Sequence, residues 1–70
     1  MDLRWENDTI IVVSSQDNMV VLSANKAGLL SLAHHLTALS EDNSPGVHIH
    51  LDEYNGLEDG SVELVIERID

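Results

Sequence analysis

The chain has 70 residues, 13 acids against 3 bases, a formal net charge of −10 at pH 7 and no cysteine. That length fits a single domain, residues 1–70, and the missing cysteines exclude disulfides and thiolate zinc sites. The charge argues against nucleic-acid and anionic-membrane partners, because both demand Lys and Arg to neutralise phosphate.

Along the chain, Leu3-Arg4-Trp5-Glu6 alternates apolar and charged residues, the signature of a short strand. Residues 9–14 (TIIVVS) are β-branched and apolar and predict a strand. Gln16-Asp17-Asn18 predicts a turn, and residues 19–23 (MVVLS) a further strand. The period then changes: Leu29, Leu32, Leu36 and Leu39 recur at three- and four-residue steps, predicting an amphipathic helix over residues 26–40 with Asn25 as its N-cap. Gly28 weakens such a helix by ~1 kcal/mol relative to Ala, which a close helix–sheet contact would explain. His35 borders the leucine stripe, half-buried, and His34 points to solvent. After the turn residues around Pro45-Gly46, residues 47–51 (VHIHL) alternate strictly. Residues 61–69 (SVELVIERI) begin the same way, with Val62, Leu64 and Ile66 on one face, and the two runs predict a hairpin.

The expected fold is therefore α+β: an antiparallel sheet of four to five strands with one helix on one face, in the order β-β-(β)-α-β-β. One helix covers one face of a sheet, so an apolar stripe that includes Val65 and Ile69 is expected on the other. Exposed stripes of that kind mark interfaces. With 43% hydrophobic residues the chain is not a disordered acidic tail. No apolar run approaches the ~20 residues of a membrane span, and residues 1–6 hold two acids and no signal-peptide pattern. A cytoplasmic location is the expectation.

Three groups bear on chemistry. His48 and His50 share one face of a strand, a spacing that can present two imidazoles to zinc, with Asp52 as a third ligand. Pairing Leu51 with Val62 sets His50 opposite Glu63 instead, and a cross-strand His–carboxylate pair explains it without metal. No metal or cofactor is therefore assigned. Residues 52–60 (DEYNGLEDG) gather four carboxylates around Tyr54 and Leu57. Asp52, Glu53, Glu58 and Asp59 suit Lys and Arg on a partner, and the two apolar side chains suit anchoring. The third position from Asp52 is a tyrosine, where an EF-hand loop needs Asp or Asn. No G-x-S-x-G, no phosphate loop and no nucleophile–base pair is visible, so the chain reads as a binding protein and not an enzyme.

The stretches ANKAGLLSLAHHL (residues 24–36), HIHLDEY (residues 48–54) and LEDGSVEL (residues 57–64) resemble the immunity-protein family numbered thirty-two of bacterial polymorphic toxin systems. The resemblance covers residues 23–69, and HIHLDEYNGLEDGSVEL is its specific part. It implies a small cytoplasmic protein that binds and neutralises a cognate toxin, and it supplies no catalytic residues. The acidic composition agrees with a toxin that has a basic surface. Asp52, Glu53, Tyr54, Leu57, Glu58 and Asp59, with the face of His48 and His50, are the expected contact residues. The alternative is a homo-oligomer, a dimer that buries its uncovered sheet faces with the histidines at the seam.

Overall fold

The computed structural model describes Met1–Asp70. Strand β1 (Ile11–Gln16) and strand β2 (Met19–Ala24) form an antiparallel hairpin in which Gln16 faces Met19 and Ile11 faces Ala24. Asp17 and Asn18 close it with φ of 49° and 62°. Two successive positive φ values match the right-handed strand twist in a two-residue loop, and Asn and Asp tolerate them.

Helix α1 (Lys26–Glu41) follows at once. Its N-cap is Asn25, whose Oδ1 accepts from the Gly28 amide at 2.7 Å and the Ile10 amide at 3.1 Å. The same side chain donates to the Asp8 carbonyl at 2.8 Å, so the cap also ties down the segment leading into β1. At the other end Arg68 supplies the cap: its Nη1 donates to the carbonyls of Asp42 at 2.7 Å and Ser40 at 3.2 Å. A cation there also complements the helix dipole. Strands β3 (His48–Leu51) and β4 (Leu64–Glu67) form a second antiparallel pair, with Leu51 facing Leu64 and His48 facing Glu67.

The class is α+β with one helix, but there are two two-stranded sheets and not one sheet of four to five strands. The join fails for a local reason. Residues 58–62 run along the outer edge of β1, where Glu58 donates to the Ile11 carbonyl at 2.9 Å and Val62 to the Val13 carbonyl at 2.8 Å. A step of four residues on one side matches a step of two on the other. The Val13 amide is satisfied by the Ser61 hydroxyl at 3.2 Å, so no regular ladder forms. Val62 is consequently exposed and does not share the inward face of Leu64 and Ile66.

Residues 3–6 do not form a strand. They run beside α1 and bond to its side chains. The Glu6 amide donates to Ser31 Oγ at 2.8 Å. Ser31 lies 2.8 Å from Thr9 Oγ1, and Thr9 donates to the Glu6 carbonyl at 2.7 Å. The helix therefore buries Gly28, Ser31, Leu32, His35 and Leu39, while Leu29 and Leu36 are exposed. The inward face is rotated from the leucine stripe because the N-terminal segment satisfies polar groups that would otherwise avoid burial. His35 is fully buried, not half-buried. The core comprises Ile11, Val13, Leu32, Leu39, Ile49, Leu51 and Leu57, with Leu3, Ala24, Val47, Leu64 and Ile66 packed around it. No helix is long and apolar enough to cross a membrane.

Candidate functional site

The connection between β3 and β4 is built from its own hydrogen bonds. Asp52 Oδ1 accepts from the Tyr54 amide at 2.9 Å, and the Asp52 carbonyl accepts from Leu57 at 2.9 Å. Asn55 clamps the entry: its Oδ1 accepts from the Asp52 amide at 2.7 Å and its Nδ2 donates to the His50 carbonyl at 2.8 Å. Glu53 Oε2 accepts from the Gly60 amide at 2.6 Å, fastening the start of the loop to its end. Leu57, 4% exposed, belongs to the core. Trp5 covers Gly56, whose φ of 144° suits only glycine and where a Cβ would run into the indole ring.

This geometry divides the expected contact residues. Tyr54 stands almost free of the fold, 95% exposed. Glu58 and Asp59 are exposed beside it. Asp52 and Glu53 add charge, but their carboxylates also shape the loop. Leu57 has no surface to offer a partner and supports the loop from beneath. His48 and His50 lie exposed on the outward face of β3, tied to different groups. His48 Nδ1 is 3.0 Å from the Gly46 carbonyl, and His50 Nε2 is 3.0 Å from Glu63 Oε2. The register differs by two residues from the expected one: Leu51 faces Leu64, so His50 faces Val65 and reaches Glu63 along the diagonal. No group of three or more His, Cys, Asp or Glu is placed to hold a metal ion.

Residues that sequence reasoning passed over hold this surface in place. Trp5 covers Gly56 and meets His35 edge-on, with ring centroids 4.3 Å apart at 76°. His35 Nε2 lies 3.0 Å from the Arg4 carbonyl. The one available signal was that a chain with a single tryptophan and no phenylalanine needs that ring for packing. The larger surface depression, lined by Leu36, Leu39, Ser40, Glu67, Arg68 and Asp70, pairs no nucleophile with a base. The Ser40 hydroxyl is already donated to the Thr37 carbonyl at 2.7 Å.

A family model described as Immunity protein 32 matches residues 20–69. The chain belongs to the Immunity protein 32 family. No curated protein and no solved structure matches it. The Immunity protein 32 span runs from β2 through α1, β3 and the acidic loop to β4. Residues 1–19 lie outside it, yet they supply Ile11 and Val13 to the core and Trp5 to the loop. Family membership points to a toxin partner and away from catalysis.

Proposed function

We propose that this chain neutralises a cognate bacterial toxin by direct contact through the loop of residues 52–60 and the adjoining face of His48 and His50. The supporting observation is Tyr54, 95% exposed on a loop whose backbone is fixed by Asp52, Glu53 and Asn55. An ordered loop loses little conformational freedom on binding, and an exposed tyrosine on it is an anchor awaiting a pocket. Around it Asp52, Glu53, Glu58 and Asp59 create a negative field that speeds encounter with a basic surface. A nuclease toxin, whose active site must hold phosphate, is the partner class this charge fits best. The complex forms in the cytoplasm of the toxin-producing bacterium or its kin, within a polymorphic toxin system, and no chemistry is performed on the toxin.

The test is binding to the cognate toxin, sought first among the products of the neighbouring genes. Tyr54→Ala weakens the complex by about 2 kcal/mol or more and leaves the thermal midpoint unchanged, since the side chain touches almost nothing in the free protein. The pair Glu58→Gln and Asp59→Asn slows association chiefly at low salt. Wild-type affinity and association rate in both variants would remove the loop from the interface.

A further inference from the structure

All 13 acids lie outside residues 18–40, a stretch that holds one base, Lys26. That stretch is β2 and all but the last residue of α1. In a protein of net charge −10, β2 and α1 as far as Ser40 thus contribute no carboxylate, and β2 carries exposed apolar side chains. Val20 is 66% and Met19 54% exposed, and Leu22, Leu29 and Leu36 are also exposed. Leu29 lies on the flank of α1 opposite Ser31 and His34, where the N-terminal segment lies, whereas Leu36 lines the depression that also holds Glu67 and Asp70.

The edge of β2 is also open. The outer edge of β1 is occupied by residues 58–62, whereas β2 pairs only with β1. Sheet edges in monomers are blunted by charge, proline or bulges, and β2 (MVVLSA) has none of these. The exposed area points the same way. A compact monomer of 7.7 kDa exposes about 4,300 Å², against 4989 Å² here. The excess, roughly 690 Å², approaches the ~800 Å² each partner buries in a standard interface.

We infer that this face binds a second copy of the chain, β2 pairing antiparallel with β2 of the partner subunit to make one four-stranded sheet. A cationic partner is drawn to the acids, none of which β2 carries. A second copy presents the same neutral apolar edge, so two highly negative chains meet without opposing carboxylates. Val13 faces Leu22 and Ile11 faces Ala24 across the hairpin, which puts Val20 and Leu22 on the helix side of the sheet. A two-fold axis normal to the sheet keeps both helices on that side, with Val20 opposite the partner subunit's Leu22 and Val21 opposite the partner subunit's Val21.

The isolated full-length chain tests this with no toxin present, so its outcome is separate from that of the loop. Sedimentation equilibrium shows a species of twice the monomer mass, and Val20→Lys, which sets a charge on the seam at an already exposed position, returns it to monomer. Hydrogen exchange on the wild type covers the case in which that variant unfolds. The β2 amides not bonded to β1 become protected as concentration rises, and those of the acidic loop do not. A wild-type monomer at every concentration overturns the proposal, as does a dimer whose free β2 amides exchange at the monomer rate.

Discussion

His35 combines complete burial with a titratable ring. A carbonyl only accepts hydrogen bonds, so the contact to Arg4 places the proton on Nε2 and leaves Nδ1 a buried lone pair with no partner. Burial lowers its pKa below the ordinary histidine value; the Arg4 carbonyl partly opposes this and neighbouring His34 adds to it. The folded chain therefore prefers the neutral ring. The resulting stability is present above the unfolded value of about 6.5 and is lost as pH falls through it, because the unfolded chain takes up a proton that the folded one resists. Acidification from about pH 7 to about pH 5 is expected to lower stability, with Trp5 reporting the release of the N-terminal segment. Urea titrations followed by Trp5 fluorescence at a series of pH values measure this. His35→Gln keeps a donor for Arg4 and is expected to give a flatter pH dependence, at some loss of stability near neutrality. Equal slopes in the two proteins would show that His35 is not the group being charged.

The seating of α1 against β1 depends on a missing side chain. A Cβ on Gly28 would lie 2.5 Å from the Ile10 carbonyl oxygen, 2.9 Å from Ile11 Cγ1 and 3.0 Å from Ala24 Cβ. That carbonyl cannot retreat, since it accepts from Asn25, the helix cap. Alanine brings ~1 kcal/mol of helix propensity, but overpacking costs about 1–3 kcal/mol. Gly28→Ala is expected to destabilise by about 1–2 kcal/mol and lower the thermal midpoint, at roughly 4–8 °C per kcal/mol for a domain this small. A midpoint that rises would mean the helix can slide without loss. The same elements show what the sequence made legible. Asn25, the tight approach at Gly28 and both hairpins were readable because capping and periodicity are local signals. The single sheet was not, because the join at residues 58–62 rests on two hydrogen bonds and a serine hydroxyl between segments some fifty residues apart. The helical period leaves His35 only half-buried and does not single out Ser31, because the partners that bury both sit in a segment that itself looked like a strand. In the loop, composition marked a candidate surface, but only geometry separated Tyr54, which projects, from Leu57, which is buried, and from Asp52 and Glu53, which serve the backbone.

Across the whole molecule charge is poorly compensated. The ion pairs are the Met1 amino group with Asp42 at 3.7 Å, Arg68 with Asp70 at 2.8 Å, and the histidine contacts to Glu6 and Glu63. Nine of the 13 carboxylates thus make no ion pair, on a body of 32 × 30 × 19 Å. At about 0.01 M salt the screening length is ~30 Å, comparable to that span, and at about 0.1 M it falls to ~10 Å. One field then has two consequences of opposite sign. Within the chain it is repulsive, so sodium chloride over this range is expected to raise the urea midpoint. Toward a cationic partner it is attractive, so the same salt is expected to slow association, an effect concentrated in the forward rate. Chloride is the salt to use, because sulfate would strengthen apolar burial by exclusion and mimic the first effect. Equilibrium unfolding and stopped-flow binding over one salt series measure both. A midpoint that falls with salt would mean the few ion pairs outweigh the repulsion. An association rate indifferent to salt would mean the partner does not sense the acids, leaving Tyr54 and the apolar face of β2 as the surfaces through which this protein makes contact.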